Sequence, residues 1–509
     1  MRALLLFPDR AFDAGRDVPS NEAVLSRDLD LATLVDAMAG GDDFLASVAK
    51  RVLLHSLTDQ ETIRYRQEAC RDCLRNPGIV GEIYRIAVEA IDQEDRQLRF
   101  RPDYAVGLLN RSRAVLEIFL TTLRDLARVA DEHAGKFESR AFTNLFEMLR
   151  KELDVAFFAK VAGRLESFKF GGGVLLSASL GLGNKGEGYV LRSAKEEKAQ
   201  GWLRRMFGEG DEDNVIAIAD RDESGARNLS DLRDQGLGLL AAALAQSAER
   251  ILGFFRELRT ELAFYQGCLN LHGKLLAKGE AVSFPSPLPL GERRFVCRGL
   301  YDVTTALGLE TPMVPNDFDA DDARLVVITG ANRGGKSAFL RSIGLSQLMM
   351  QAGMFVAAGS FSAGLRDGVF THFRREEDAA MNSGKFDEEL RRMSGIVDEL
   401  RPDALLLFNE SFAATNEREG SEIAGQIVRA LLAGDIRIFF VTHLYEFARS
   451  LHDEHDPSFH FLLAERRTDG ERTFRMVAGV PAATSFGRDL YDKVFGSGDA
   501  GTAGPGARD

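Results

Sequence analysis

The stretch Gly330-Ala331-Asn332-Arg333-Gly334-Gly335-Lys336-Ser337 limits what this chain can fold into more than any other. It fits the phosphate-loop pattern: a glycine, four residues, then Gly-Lys-Ser, set between a buried strand and a helix. Leu325-Val326-Val327-Ile328-Thr329 reads as the strand. Phe339, Leu340, Ile343, Leu348 and Met349 recur at roughly helical spacing, with Gly353 as the stop signal. Glycines let the backbone curl until its N–H groups face phosphate oxygens, and the helix adds its positive N-terminal end. Gly330, Ala331, Asn332, Arg333, Gly334, Gly335, Lys336, Ser337 and Ala338 are therefore predicted to bind a nucleotide, ATP with Mg2+. Lys336 would reach the β- and γ-phosphates, and the Ser337 hydroxyl would sit on the metal.

Two later strands complete the expected site. Ala404-Leu405-Leu406-Leu407-Phe408 ends in Asn409-Glu410, where a phosphate-loop ATPase ordinarily has an Asp that holds Mg2+. Glu410 suits the task of orienting or deprotonating the attacking water. Asn409 stands at the metal position with an amide, which brings no charge, so weaker metal binding and slower turnover are expected. Ile436-Arg437-Ile438-Phe439-Phe440-Val441 ends in Thr442-His443, a polar pair that would point at the γ-phosphate, with His443 as its sensor. The catalytic candidates are thus Glu410, His443 and Lys336; the metal candidates are Ser337 and Asn409.

At 509 residues the chain is long enough for about three domains. Its 45% apolar and 28% charged residues are those of an ordinary globular protein. No apolar run approaches the roughly 20 residues of a membrane span, and Met1 to Pro8 is too short for a signal peptide, so a cytoplasmic protein without membrane contact is expected. Cys70 and Cys73 form a C-x-x-C in a charged helical segment, and Cys268 and Cys297 are distant; plain thiols are expected. His452, His455 and His460 read as solvated loop histidines. A net charge of −13 is not that of a protein that coats nucleic acid with a basic surface, so any DNA contact is expected to come from local basic patches or to be weak or conditional.

The pattern predicts a multidomain chain: an all-α domain with a small strand-containing insert, then an α/β phosphate-loop domain. Residues 1–164 read as outgoing helices with Pro77 and Pro102 as breaks, and 165–228 as the insert. In the insert, Val174–Leu180 and Tyr189–Leu191 form a strand pair, and Val215–Ala219 is a further strand. Gly181-Leu182-Gly183-Asn184-Lys185-Gly186 matches a dinucleotide fingerprint but precedes a strand, so a hairpin turn is preferred. Residues 229–284 return as helix from an N-cap at Ser230, with breaks; 285–495 form the nucleotide domain; the Gly/Ala-rich 496–509 reads as a disordered tail.

Thr329 to Ser337, Asn409 to Gly420 and Val441-Thr442-His443 together resemble the ATPase domain of MutS-type proteins, which carry T-G-x-N-x-x-G-K-S, D-E-x-G-x-G-T-x-x-x-x-G and T-H. Asp28-Leu29-Asp30-Leu31 and Thr62 to Gln67 resemble that family's helical lever, and the insert falls where the family places a clamp. The resemblance implies an ABC-like fold, a homodimer through the ATPase domains, and DNA as a partner. It also implies that the stretch from Glu377 to Glu389 is the signature that reaches the partner's nucleotide, with Ser383, Gly384 and Lys385 as its contacts. Four departures stand out: Asn409 replaces the Asp, Phe412 and Ala414 replace two glycines, the signature's Gly-x-Ser-Thr becomes Asn382-Ser383-Gly384-Lys385 with the serine displaced, and no mismatch-reading domain is expected ahead of the lever. The expected function is a DNA-dependent ATPase switch outside standard mismatch recognition. Lys185, Arg192, Lys195, Lys198, Arg204 and Arg205 are candidate phosphate contacts, interleaved with Glu187, Glu196 and Glu197. The alternative is an ATP-binding assembly protein with little hydrolysis; a small-molecule kinase fits the long helical half poorly.

Overall fold

The computed structural model describes residues 1–97, 104–170, 175–182, 186–192, 223–375, 384–467 and 470–481. The chain opens with helices α1 (Glu22–Asp28), α2 (Leu31–Ala39), α3 (Asp43–Leu54) and α4 (Gln60–Arg75). Asp42 caps α3 by accepting the N–H groups of Phe44 and Leu45. Helix α5 (Pro77–Gln97) starts on its proline, where no N–H is needed, so Pro77 divides two helices as the sequence predicts. Then come α6 (Ala105–His133), α7 (Arg140–Glu152) and α8 (Val155–Ser167), the last two capped by Ser139 and Asp154. Strands β1 (Leu176–Leu180) and β2 (Gly186–Leu191) pair antiparallel with Leu180 opposite Gly186, the hairpin expected around the glycine motif. Helix α9 (Glu223–Ala277) follows. Pro102, Val215–Ala219 and the tail lie outside the described residues.

Helix α9 differs from the sequence expectation at its start and in its continuity. It begins seven residues before Ser230 and runs unbroken for 55 residues through several glycines. An apolar face that is packed stabilises a helix beyond what local propensity allows. Here Leu252, Phe255, Leu258, Leu262, Phe264 and Leu271 are buried, and Gly267 lies against Met38. The stretch Gly236–Ala277 is long and apolar enough, by length and composition, to cross a membrane, which the reading of apolar runs alone missed.

Beyond α9 the order is β3 (Ser286–Leu290), β4 (Phe295–Leu300), α10 (Val303–Gly308), β5 (Asn316–Ala320), β6 (Leu325–Gly330), α11 (Lys336–Ala352), β7 (Ser360–Leu365) and β8 (Val369–Phe373). It ends with α12 (Lys385–Glu399), β9 (Leu405–Asn409), α13 (Glu417–Ala433), β10 (Arg437–Val441), α14 (Tyr445–His452), β11 (Phe459–Arg466) and β12 (Arg472–Ala478).

Packing divides the chain into two compact units. The first joins Met1–Leu5 to Asn76–Leu262. Part of its core is Leu109, Leu116, Leu165, Leu237, Ala241 and Leu244, and Phe119 meets Phe255 with ring centroids 5.6 Å apart. The N-terminal strip is tied in through Glu257, which accepts the Ala3 N–H at 2.7 Å, and buried Glu261, which accepts that of Leu5.

The second unit joins Leu6–Arg75 to everything from Ala263 onward. This departs from the sequence division, which places 1–164 with the helical half and starts the nucleotide domain at 285. Specific polar bonds at the far end of α11 explain the difference. Fully buried Arg66 donates to Leu6 O at 2.8 Å and Ala352 O at 3.2 Å, with its guanidinium 4.5 Å from the Phe7 ring centroid. Gly353 ends α11 at φ 82°, and a Cβ there would fall 2.4 Å from the Arg66 side chain. Leu57 and Gln351 exchange hydrogen bonds of 3.1 and 2.9 Å. Buried Asp28 accepts from Thr371 on β8 at 2.8 Å.

This unit holds two sheets. One has four strands in the order β3-β7-β4-β5; the other has six, β12-β11-β6-β10-β9-β8, all parallel except β12 at its edge. A parallel sheet covered on both faces needs strands that are apolar throughout, and every residue of β6 and β10 is buried. Buried thiols also gather here: Cys70, Cys73 and Cys268 form one group, with a hydrogen bond between Cys70 and Cys268, so Cys268 is not isolated as expected. Burial pushes the Cys73 and Cys268 thiols well up and Cys297 to about 12, which keeps them protonated and unreactive. His460 sits on β11 rather than in a loop, bonded to Asp322 O at 2.9 Å. Among the described residues no group of His, Cys, Asp or Glu is arranged to hold a metal.

Candidate nucleotide-binding site

In an open parallel sheet, ligands collect beyond the carboxyl ends of the strands. Here β6 ends at Gly330, β9 at Asn409 and β10 at Val441, all on one edge. Strand β10 runs between β6 and β9, so His443 emerges between the loop and Glu410, although its strand comes later in the chain. Gly330 has φ 103°, and a Cβ on it would lie 2.9 Å from the Ala464 nitrogen of β11; only glycine fits. Arg333 (φ 58°) and Gly335 (φ 88°) complete the turn into α11. Lys336 folds back across the loop, its Nζ donating to Gly330 O at 3.1 Å and Ala331 O at 3.0 Å. It is 5% exposed, and burial lowers its pKa to about 8 against the opposing charge of Glu410.

The predicted partners converge on the loop. Ser337 Oγ donates to Asn409 Oδ1 at 3.0 Å, so the loop hydroxyl and the end of β9 share one position. Glu410 Oε1 lies 3.1 Å from His443 Nε2. That hydrogen bond lowers the Glu410 pKa, more than offsetting burial, and the charges of Lys336 and Arg374 act in the same direction. Glu410 has φ 56°, an unfavourable value held by its N–H, which donates to Val441 O at 2.8 Å. Thr442, expected to face the γ-phosphate, is buried, and its hydroxyl accepts the Leu444 N–H at 3.0 Å.

Of the two positions after Glu410 where the family pattern has glycine, Phe412 keeps a left-handed backbone and Ala414 does not. Phe412 adopts φ 63°, the conformation a glycine would take there. Its fully buried ring stacks on His372 at 5.4 Å and 18°. His372 is held neutral, its pKa lowered to about 4 by burial, and is bonded to Ser411 Oγ at 2.7 Å and Glu389 O at 3.1 Å. Gly420 is irreplaceable, since a Cβ there would fall 2.4 Å from Phe412 O.

Of the signature candidates, Ser383 lies outside the described residues; Gly384 is the N-cap of α12, and Lys385 is its exposed first residue. Within this one chain, Lys385 lines the same cavity of about 700 Å3 as Ser337, Asn409, Glu410 and Ala414. Arg374, Arg375 and Arg392 line it too, and the sequence reading named none of them. The missing signal was pairing: Phe373, at the end of β8, lies opposite Asn409 on β9, so the next residue is delivered to the site. Phe474, half exposed at φ 60°, was missed as well; it packs beside Gly335. Of the candidate DNA contacts, Arg192 bonds to Ser177 Oγ at 2.9 Å, and Lys185, Lys195, Lys198, Arg204 and Arg205 lie outside the described residues.

The oxygens of Ser337 and Asn409 suit Mg2+ in kind, since it prefers hard oxygen donors, but neither carries charge and they are bonded to each other. The pair can hold the ion, though more weakly than a carboxylate would.

Comparison with known proteins points to one family. A family model described as MutS2 N-terminal domain matches residues 58–278, and one described as MutS domain V matches residues 326–491. DNA mismatch repair protein MutS of Porphyromonas gingivalis is 33% identical over 187 residues, 36% of this chain and 21% of that protein. MutS of Synechococcus sp. (strain CC9902) is 30% identical over 260 residues, 50% of this chain and 27% of its own. Endonuclease MutS2 of Thermus thermophilus is 32% identical over 178 residues, 33% and 23% of the two chains. This chain spans about a fifth to a quarter of the length of these relatives. It is a MutS-related protein. Its N-terminal half carries the MutS2-type helical segment, and its C-terminal half carries a MutS domain V.

Proposed function

We propose that this chain is an ATPase switch of the MutS type, in which an ABC-like nucleotide unit binds and hydrolyses ATP and works as a homodimer on DNA. One observation carries the reading: Ser337 meets Asn409 and Glu410 meets His443 beside the loop that begins at Gly330. Loop N–H groups and Lys336 hold the phosphates and stabilise charge that develops on the γ-phosphoryl group. Glu410, kept ionised by His443, accepts a proton from the water that attacks it. Bound Mg2+, held by Ser337 and Asn409, would neutralise charge on the β- and γ-oxygens. The names of the relatives, mismatch repair proteins and an endonuclease, support a role in DNA repair or recombination.

Asn409 favours a second reading: an ATP-binding assembly protein that turns over slowly and acts through protein partners. Single-turnover hydrolysis of ATP, alone and with branched, mismatched or plain duplex DNA, separates the two. Stimulation by DNA, lost in Glu410→Gln, is the expected result. Tight ATP binding with neither hydrolysis nor a salt-sensitive DNA affinity would leave only the assembly role.

A further inference from the structure

We propose that Arg374 is a built-in counter-charge for the terminal phosphate of a bound nucleoside triphosphate, so that this site holds the nucleotide with little dependence on a divalent cation. The inference rests on the nucleotide site described above and adds a residue that neither the phosphate loop nor the strand-end motifs contain.

The cation position is made of a hydroxyl and an amide, 3.0 Å apart. An aspartate there would place a full negative charge beside the metal; Asn409 offers only a dipole. Glu410 is assigned to the attacking water rather than to the metal, and its Oε1 is engaged by His443 at 3.1 Å. Affinity for the divalent ion therefore falls while the charge on the triphosphate stays the same. A fixed cation at the same place restores the balance.

Arg374 is placed for that role. Its N–H donates to Asn409 O at 2.9 Å, which pins its backbone to the strand end that carries the amide. Its side chain is half exposed and lines the cavity together with Ser337, Asn409 and Glu410. Its Nη1 is 3.9 Å from Glu410 Oε2, an ion pair too long to be a hydrogen bond, so the guanidinium can turn to phosphate oxygens without breaking one. The neighbouring arginines are committed elsewhere: Arg375 Nη1 to Glu388 Oε1 at 3.2 Å, and Arg392 Nη1 to Phe373 O at 3.2 Å. A planar guanidinium also matches two phosphate oxygens at once, which an ammonium does not.

The test is equilibrium binding of a fluorescent, non-hydrolysable ATP analogue by the full chain, in Mg2+ and in EDTA. Wild type should bind in EDTA within several-fold of its affinity in Mg2+. Arg374→Ala should lose roughly tenfold to a hundredfold in EDTA, the worth of one hydrogen bond to a charged group, and less in Mg2+. Arg374→Lys should recover part of the loss. Asn409→Asp should shift the protein toward metal-dependent binding. Equal affinities of Arg374→Ala and wild type in EDTA would overturn the proposal, as would wild-type binding that vanishes in EDTA but persists in Mg2+. In the first of these outcomes Arg374 serves only to orient Glu410. Absence of binding in both conditions would overturn the nucleotide site itself and the proposal with it.

Discussion

Phe412 sets two physical costs against each other at one residue. Its φ of 63° is a conformation that costs a non-glycine residue about 1–2 kcal/mol. Its ring is fully buried, stacked on His372 and 6.0 Å from Phe408, and deleting such a ring costs about 3–5 kcal/mol. Glycine at this position relieves the first cost and incurs the second, so Phe412→Gly should destabilise the nucleotide unit by about 1–4 kcal/mol even though it relaxes the backbone. Phe412→Ala loses the ring and keeps the strain. After the greater chain entropy of unfolded glycine is subtracted, the alanine variant should be less stable than the glycine variant by roughly 0.5–1 kcal/mol. Urea unfolding followed by far-ultraviolet circular dichroism, with the three proteins fitted to a common slope, gives the order: wild type first, glycine second, alanine last. A glycine variant as stable as wild type would show that the ring adds nothing to the core. An alanine variant at least as stable as the glycine variant would show that the left-handed backbone at 412 is wrong.

Asn409→Asp should tighten Mg2+-dependent nucleotide binding, measured by calorimetry with and without the metal; an unchanged Mg2+ dependence would remove residue 409 from the metal position. Burial holds Lys336 at about 8, below its ordinary value, and a bound phosphate would raise it again. Above pH 8 binding must therefore take up a proton, and ADP affinity should fall by up to about tenfold per pH unit; a flat profile from pH 7 to 9.5 would contradict the buried, phosphate-facing lysine.

Local chemistry made much of this site legible in the sequence. Glycines, a lysine and a serine at fixed spacing after an apolar run leave few alternatives, and Ser337 does meet Asn409 as the two motifs require. The parts that were missed depend on pairing across the sheet. Nothing local to Arg374 says that Phe373 lies opposite Asn409, and nothing near Phe412 says that its ring would be buried on His372. The same holds for the fold. The stretch around Cys70 and Cys73 read as helical, but the attachment of α4 to α11 rests on Arg66 and Gln351 bonding to backbone oxygens hundreds of residues away. The stretch that forms α9 read as a helix with breaks because propensity is local, whereas the burial that overrides it is not.

The division of the second unit has a consequence for how the protein is made. Arg66 and Asp28 leave the ribosome early, yet the groups they bind, Ala352 O and Thr371, are synthesised only after the whole of residues 76–262 has emerged. The first unit is complete, with its own core, well before the nucleotide loop exists. Until α11 and β8 arrive, Arg66 has Leu6 O and Asp28 has Arg27, but the bonds that tie them to the nucleotide unit, to Ala352 O and Thr371, cannot form. A fragment of residues 263–509 should therefore come out of cells aggregated, and adding residues 6–75 as a separate chain should rescue it.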